Sequence, residues 1–141
     1  MSKKATHVSV AIVGSGFAGI GMGIRLKQKG MSDFVIFERA NDVGGVWREN
    51  TYPGCACDVQ SHLYSLSFAK NPNWSRSYSP QGEIWDYLKR TARDFGVLPH
   101  VRFGHSVESS VWDEKDEVWR IETSEGSFTA NIVIGAMGGL S

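Results

Sequence analysis

The sequence has little of what marks disulfide-rich, metal-binding or nucleic-acid-binding proteins. Only two of its 141 residues are cysteine, Cys55 and Cys57, and their spacing is poor for an unstrained disulfide. No further Cys or His lies at metal-ligand spacing beside them, so we expect no metal site and interpret both as small packing residues. Fifteen basic side chains balance fifteen acidic ones, so no net charge recruits nucleic acid or an anionic membrane.

Long apolar runs are absent as well. The longest, around Ile132–Ile134, are far too short to span a bilayer. The start of the chain, Met1–Lys4, is basic, but a strand-like segment and glycines follow it without a small-residue cleavage site. Hydrophobic residues make up 41% and charged residues 21% of the chain, which is typical of a soluble globular domain. We therefore expect one cytoplasmic domain with no membrane partner.

The first part of the chain has a strand–helix–strand pattern. Val8–Val13 and Phe34–Phe37 are short apolar runs that predict buried strands. Between them the pattern predicts a helix to about Lys29, with Gly30 as its C-terminal stop. This order requires a right-handed crossover and a parallel sheet.

A second helix and several strands are predicted after a long glycine-rich loop. The helix runs from Pro80 to about Phe95, with Ser79 as its N-cap. The predicted strands are Val101–Phe103, an antiparallel set near Ser106–Trp112, Val118–Thr123 and Ser127–Ala130, and a separate buried strand at Asn131–Ile134. The predicted fold class is therefore α/β, a parallel sheet flanked by helices with an inserted antiparallel β-meander.

The turn after the first strand has the spacing of a dinucleotide-binding fingerprint. Gly14 permits a tight turn, Gly16 lets the backbone approach a pyrophosphate, and Gly19 lets the helix pack against the strand. The following helix presents free N–H groups and a partial positive charge to phosphates. Glu38, at the end of the second strand, can accept hydrogen bonds from ribose hydroxyls. Its carboxylate would repel a 2′-phosphate, which disfavours NADP at this site.

Gly23 departs from the expected pattern of the first helix. An apolar side chain would usually face the sheet at this position. We expect the glycine to permit closer packing, at a cost of about 1 kcal/mol in helix propensity.

The residues that follow the strand–helix–strand unit narrow the choice of protein family. The segment Gly44–Asp58 fits, without a gap, the pattern Gly/Ala-Gly-x-Trp-x4-Tyr/Phe-Pro-Gly-x3-Asp. This pattern is typical of class B flavin monooxygenases, above all the Baeyer–Villiger type, which the chain therefore resembles from Val8 to Ser141. The resemblance implies a Rossmann-like FAD-binding domain that corresponds to the first portion of a family member.

The resemblance and the fingerprint together predict which residues contact FAD. The paired glycines would pass close to the diphosphate and ribityl chain, and Trp47 would pack beside them, although Trp47 taken alone is equally consistent with simple core packing. The predicted cofactor-binding residues are Gly14, Ser15, Gly16, Phe17, Ala18, Gly19, Glu38, Arg39, Gly44, Gly45, Val46, Trp47, Cys57, Asp58, Val59, Tyr64, Val107, Ala136 and Met137. Met137 replaces a threonine of the family, which leaves a side-chain contact there open.

Asp58 is the predicted catalytic-site residue. The matching aspartate of the family orients an arginine from a later part of the chain, and a fixed cation beside a developing anion is physically sensible. The alternative is a loop cap that bonds nearby backbone N–H groups. His62 has no visible partner and is interpreted as structural, and His7, His100 and His105 are given no functional role.

The implied activity is NADPH- and O2-dependent oxygen insertion beside a ketone carbonyl, through a C4a-peroxyflavin. An N- or S-oxidising flavin monooxygenase and a non-catalytic FAD-binding module are the alternatives. The sequence contains no Phe-x-Gly-x3-His-x3-Trp linker signature, no second GxGxxG for NADPH and no later arginine partner.

These absences predict that residues 1–141 form an incomplete FAD-binding domain without its NADPH domain. We expect a truncated polypeptide, a split gene product or an isolated domain that is inactive alone. We also expect weak FAD retention, and self-association through exposed apolar surface.

Overall fold

The computed structural model describes residues 4–140, so Met1–Lys3 and Ser141 of the predicted domain lie outside it. Among the described residues, no helix is both long and apolar enough to cross a membrane. The elements are β1 (Thr6–Val13), α1 (Phe17–Gln28), β2 (Phe34–Phe37), α2 (Val46–Glu49), α3 (Gln81–Asp94), β3 (Val101–Arg102), β4 (Val107–Asp113), β5 (Val118–Thr123) and β6 (Gly126–Gly135), with single 3-10 turns at Ser61–Leu63 and Leu98–His100.

The strands form one six-stranded mixed sheet in the order β3-β2-β1-β6-β5-β4. β1 lies between β2 and β6 and pairs in parallel with both. β2 pairs in parallel with β3, whereas β4, β5 and β6 pair antiparallel. The predicted β-α-β unit and its parallel sheet are thus confirmed, and the antiparallel strands extend the same sheet.

The division of the last strand was predicted wrongly. Ser127–Ala130 and Asn131–Ile134 belong to the single strand β6, which pairs antiparallel with β5 and parallel with β1. No Gly or Pro interrupts the chain there. The apolar pattern nevertheless changes its phase, because Ala130 and Val133 reach the same core cluster despite their odd spacing. The strand therefore continues across the predicted boundary.

The helices cover one face of the sheet. Ile12 and Ile36 of the strands pack with Ile20 and Ile24 of α1 and with Leu88 of α3 in one buried cluster. The predicted apolar stripe of α3 is confirmed, since Ile84, Leu88 and Ala92 are fully buried and Phe95 is partly buried against the same cluster. Burial of this stripe, more than intrinsic helix propensity, stabilises a helix of this length.

Side chains of the antiparallel strands form a second cluster with the parallel strands on the other face. Phe37 of β2 and Phe128 of β6 meet edge to face with ring centroids 4.8 Å apart. Ala11 and Val35 of the parallel strands share their cluster with Ile121 of β5. The parallel strands therefore bury side chains on both of their faces.

Ser79 does not cap α3 as predicted. Pro80 occupies the N-cap position, and no side-chain cap is formed. The Ser79 hydroxyl instead shares a 2.6 Å hydrogen bond with the Ser61 hydroxyl, and its carbonyl accepts a bond from the Cys57 amide. Tertiary contacts between loops therefore override the local capping preference of serine.

Candidate cofactor-binding site

A cavity of about 470 Å³ lies at the carboxyl ends of β1, β2 and β6. Ligands of open α/β sheets bind at this edge of the strands. The predicted cofactor residues that line it are Gly14, Ser15, Gly16, Phe17, Ala18, Glu38, Arg39, Gly44, Gly45, Val46, Trp47, Tyr64, Val107, Ala136 and Met137. The structure thus brings most of the predicted site together, apart from Gly19, Cys57, Asp58 and Val59.

The glycine turn packs too tightly for side chains at two positions. Gly14 has φ of 106°, and a Cβ there would overlap the carbonyl oxygen of Ala136. A Cβ on Gly19 would overlap the carbonyl oxygen of Gly14. Gly19 therefore lies behind the turn, where it allows α1 to pack against β1, and it does not line the cavity.

The amino end of α1 faces the cavity with uncapped N–H groups. Its N-cap, Gly16, forms no side-chain hydrogen bond, and the first turn contains no acidic residue. Phe17 and Ala18, the first residues of this twelve-residue helix, line the cavity. The first-turn amides have no partners within the helix and carry the positive end of its dipole, so this end suits an anionic diphosphate.

Glu38 provides a buried acceptor beside the turn. Its side chain is 5% exposed and accepts a hydrogen bond from the Ser15 hydroxyl. The Ala40 amide donates to the same carboxylate at 2.9 Å, and Arg48 Nη1 lies 3.3 Å from it. The cation and these donors compensate the burial of the charge, as a buried carboxylate requires.

Arg48 continues this polar network along the wall of the cavity. Its Nη1 donates to the Asp42 carbonyl at 2.8 Å, and its Nη2 lies 2.7 Å from Glu49 Oε1. Arg39 Nη2 binds the same Glu49 oxygen at 2.8 Å. The hydrogen bond from Arg39 lowers the pKa of Glu49, and its charge and that of Arg48 add to the effect. Cations and carboxylates therefore alternate along this wall.

The Gly44–Trp47 segment is held against the glycine turn from two sides. The Gly44 amide donates to the Ser15 carbonyl at 3.0 Å. Trp85 of α3 donates from Nε1 to the Val43 carbonyl at 2.8 Å. α3 therefore positions this segment, although none of its own residues lines the cavity.

Gly45 allows the two glycine-containing segments to approach each other. It has φ of 55°, and a Cβ on it would lie 3.2 Å from the Cα of Gly16. Any side chain at Gly45 would combine a strained backbone with a close contact, so glycine is the residue that fits there.

Trp47 and Tyr64 form another wall of the cavity. Trp47 Nε1 donates to the Tyr64 phenolic oxygen at 3.0 Å, and the rings meet edge to face with centroids 5.8 Å apart. Burial raises the pKa of Tyr64, the electrostatic effects of the neighbouring Cys57 and Asp58 add to this, and the bond from Trp47 opposes it. Trp47 also packs against the main core cluster, so it both lines the cavity and contributes to the core.

The Cys57–Val59 turn lies outside the cavity. Asp58 is exposed and forms no hydrogen bond with any residue from 4 to 140, so its carboxylate does not cap the loop. Cys57 is buried, and its sulfur accepts a bond from the Val59 amide at 3.3 Å. The structure therefore leaves the Asp58 carboxylate available to a partner outside these residues.

Several lining residues were missed by the sequence analysis. His105 donates from Nδ1 to the Phe103 carbonyl at 2.8 Å, and its ring stacks near Phe37. A wider window around the predicted Val107 would have included it. The residues missed are Val13, Phe37, Arg48, Glu49, His105, Ser106 and Gly138. No group of three or more His, Cys, Asp or Glu side chains within residues 4–140 is arranged to hold a metal ion.

Comparison with protein families identifies the domain. A family model described as an NAD(P)-binding Rossmann-like domain matches residues 12–91, more than half of the chain. The chain belongs to this family. The predicted Rossmann-like fold is thereby confirmed, and the match includes the glycine turn, Glu38 and the Gly44–Trp47 segment.

Curated relatives of this Rossmann-like domain carry the predicted activity in their names. The chain is 53% identical over 135 residues to a Baeyer–Villiger monooxygenase of Streptomyces coelicolor, a match that covers 96% of the chain. It is 47% identical over 138 residues to a Baeyer–Villiger monooxygenase of Pseudomonas aeruginosa, with 97% covered. In each case it spans only 26% of the relative's length. The resemblance predicted from Gly44–Asp58 is confirmed over that part.

Solved structures agree with these relatives. The Rossmann-like domain superimposes on a steroid monooxygenase bound to NADP with a TM-score of 0.90 and 39% identity, over 96% of this chain and 27% of that one. It superimposes on cyclohexanone monooxygenase from Rhodococcus sp. Phi1 bound to NADP+ with a TM-score of 0.92 and 34% identity, over 98% of this chain and 27% of that one.

Proposed function

We propose that the cavity binds FAD and that the chain is the FAD-binding portion of a Baeyer–Villiger-type monooxygenase. The convergence of the glycine turn, Glu38 and the Gly44–Trp47 segment on one cavity carries this proposal. Two relatives are named Baeyer–Villiger monooxygenases, and a structural neighbour with a TM-score of 0.90 and 31% identity is described as a complex with FAD and NADP.

The residues present fit FAD in three places. The first-turn amides of α1 would bind its diphosphate, because they lack partners and carry partial positive charge. Glu38 would accept hydrogen bonds from the ribose of its adenosine half. The space beside Gly16 is open, since a Cβ there would meet only the Gly45 Cα, at 3.7 Å, and this leaves room for a phosphate.

The segment from Gly44 to Trp47 supports FAD over NAD as the dinucleotide. Its backbone lines the cavity directly beyond the glycine turn and extends it to Tyr64. This length of polar backbone and aromatic wall suits the ribityl and flavin half of FAD. Bound FAD would supply the oxygen-activating chemistry, while the protein would bind and orient it and limit access of water.

We assign Asp58 a positioning role toward a cation supplied from outside the described residues. Its carboxylate is exposed and forms no hydrogen bond with residues 4–140. Its charge contributes to the raised pKa of Tyr64, which lines the cavity. A carboxylate there would hold an arginine or lysine beside the flavin end of the site.

In the complete enzyme, NADPH, O2 and a ketone would be the other reactants. Their sites would lie in the parts of the relatives that this chain does not span, since it covers about a quarter of their length. We therefore propose that residues 1–141 contribute FAD binding and not the whole reaction.

Gly16→Ala tests the cofactor proposal. The substitution adds one methyl where the fold has space, so stability should fall by less than about 1 kcal/mol. FAD affinity, measured by flavin fluorescence, should fall at least about tenfold, because the methyl occupies space for a phosphate. Gly82→Ala, which meets no atom within 4 Å and lies outside the cavity, is the matched control. Equal FAD affinity of the two variants, or no binding by the parent chain, would contradict the proposal.

An activity measurement tests whether residues 1–141 contribute only FAD binding or the whole reaction. With FAD, NADPH and cyclohexanone present, we expect no ketone-dependent NADPH oxidation by the purified chain. Joined to the remaining segments of a relative, the same chain should support lactone formation, detected by mass spectrometry. Steady ketone-dependent oxidation by the chain alone would show that the catalytic machinery is already within it.

A further inference from the structure

His105 lines the proposed FAD cavity, but none of the contacts proposed above for FAD uses its side chain. It lies between β3 and β4, in the connection formed by residues 103–106. The Gly104 amide donates to the Ala40 carbonyl at 3.0 Å, and the His105 amide donates to the Glu38 carbonyl at 3.0 Å. The backbone of this connection is therefore fixed beside the carboxyl end of β2.

The imidazole ring of His105 is held in place on the wall of the cavity. Its Nδ1 donates to the Phe103 carbonyl oxygen at 2.8 Å. The centroid of the ring lies 6.1 Å from that of Phe37, with the two planes 25° apart, and 6.1 Å from that of Phe128, at 68°. Both of these phenylalanines are buried. The ring is therefore packed before any ligand binds, which reduces the side-chain entropy lost on binding.

The bond to Phe103 decides which ring nitrogen carries the proton. A carbonyl oxygen only accepts, so Nδ1 must donate, and Nε2 of the neutral ring is then an acceptor. Nε2 forms no hydrogen bond with any residue from 4 to 140. The buried side-chain atoms without a partner in that range are Trp74 Nε1 and Ser110 Oγ. His105 Nε2 is not one of them, so this unpaired acceptor is accessible to a ligand.

The position of His105 matches the base of the adenosine half of FAD. Glu38 would bind the ribose of that half, and the His105 amide bonds the carbonyl of the same Glu38. Trp47 and Tyr64, which would face the flavin half, form another wall of the cavity. The base attached to the ribose would therefore reach residues 103–106.

We propose that His105 Nε2 accepts a hydrogen bond from the exocyclic amino group of adenine and makes the site selective for an adenine dinucleotide. This inference rests on the proposed binding of FAD. The amino group of adenine donates, whereas hypoxanthine carries a carbonyl oxygen, an acceptor, at the same ring position. Two acceptors that face each other lose the bond and leave both groups unpaired, which is costly in a closed site. Glu38 and the amides of α1 contribute contacts that do not depend on the base.

The test compares FAD with the analogue in which hypoxanthine replaces adenine. Flavin fluorescence measures the affinity of the purified chain for each dinucleotide. The parent chain should bind FAD at least about tenfold more tightly than the analogue, because one hydrogen bond is replaced by two unpaired acceptors. The ratio of the two affinities reports contacts to the base, since the phosphates, riboses and flavin are the same.

Two substitutions separate Nε2 from the rest of the ring. In His105→Gln the amide oxygen can replace Nε2 as an acceptor, so the preference for FAD should be retained. In His105→Asn the amide nitrogen can replace Nδ1 and donate to Phe103, but nothing replaces Nε2, so the preference should fall to about twofold or less. His62→Gln removes an exposed imidazole outside the cavity and should keep the parent's preference. Thermal unfolding shows whether each variant is folded.

Nitrogen NMR of His105 gives a result that does not depend on affinity. At a pH above the ordinary histidine pKa, the free chain should carry a proton on Nδ1 and none on Nε2, and FAD should shift the Nε2 resonance. A proton on Nε2, equal affinity of the parent for the two dinucleotides, or a retained preference in His105→Asn would overturn this inference while FAD binding stands. If the parent binds neither dinucleotide, the proposed function fails, and this inference fails with it.

Discussion

The hydroxyl of Ser15, in the glycine turn, donates a hydrogen bond to Glu38 at the end of β2. Both side chains are buried, with 1% and 5% of their surface exposed. This bond joins the glycine turn, which we propose binds a diphosphate, to Glu38, which we propose binds a ribose. It therefore fixes the spacing between the turn and the Glu38 carboxylate.

Ser15→Ala should destabilise the domain by about 1.5–3 kcal/mol, because a buried carboxylate loses a hydrogen-bond donor. Urea denaturation of the variant and the parent chain measures the difference. Ser32→Ala, which removes the same hydroxyl from an exposed loop position, should change stability by less than about 0.5 kcal/mol. Similar values for the two variants would show that the buried bond contributes little.

Gly23→Ala should destabilise the domain although alanine is the better helix former. A Cβ there would lie 2.9 Å from Val97 Cγ1, 3.0 Å from Ile36 Cδ1 and 3.2 Å from Phe34 Cε2. Overpacking typically costs about 1–3 kcal/mol, more than the roughly 1 kcal/mol gained in helix propensity.

The control for this prediction is Gly82→Ala in α3, where an added Cβ meets no atom within 4 Å. This variant should be neutral or more stable than the parent by about 0.5 kcal/mol. Thermal unfolding of both variants gives the comparison. A stabilising effect of Gly23→Ala would mean that α1 can move away from the sheet without loss of packing.

Tyr64 should titrate above the ordinary tyrosine value of 10.0, because burial raises its pKa. Its contribution to the unfolding free energy is thus present below pH 10 and is lost as the pH rises through the higher folded-state pKa. Absorbance at 295 nm, compared with Tyr64→Phe, isolates this transition. Trp47→Phe removes the hydrogen bond that opposes the shift, so it should move the transition to still higher pH; a move to lower pH would contradict this assignment.

Asp113 should make the β4–β5 hairpin sensitive to acid. The bond from Arg120 Nε, 2.6 Å long, lowers the Asp113 pKa, and the amides of Asp116 and Lys115 lower it further. The stabilisation is therefore present above pH 3.8, the ordinary value, and is lost as the pH falls through the lower folded-state pKa. Carboxyl NMR titration measures this pKa directly.

Asp113→Asn should remove part of the acid dependence of urea denaturation between pH 6 and pH 2. Glu114→Gln, an exposed neighbour outside these bonds, removes the same charge and should leave that dependence unchanged. An unchanged acid dependence in Asp113→Asn would show that the ion pair does not stabilise the hairpin.

Local features of this protein could be predicted where they depend on neighbouring residues. Phe34–Phe37 is a strand with the bounds that its apolar run predicts. Gly14 is required by the fold itself, because its φ is 106° and a Cβ there would overlap the Ala136 carbonyl, whereas Gly16 leaves the space that we propose for a phosphate. The Gly44–Asp58 pattern also identified the monooxygenase family from the sequence, because all of its residues lie in one continuous segment of the chain.

Features that depend on distant residues required the tertiary structure. The bond of Ser79 to Ser61, the pairing of Arg48 with Glu38, and the place of His105 in the cavity join segments far apart in the chain. The side chain of a serine, arginine or histidine can form hydrogen bonds with many different groups. Which group it bonds depends on the segments that the packed fold brings beside it.

By itself the sequence determined the strand–helix–strand unit, the glycine turn and the family, because backbone sterics and apolar periodicity act over a few residues. Only the tertiary structure decided that β6 is one strand, that Asp58 lies outside the cavity, and that Arg48 pairs with Glu38. Each of these results depends on which distant surfaces bury each other. That choice is made by the free energy of the whole packed domain and not by any single segment.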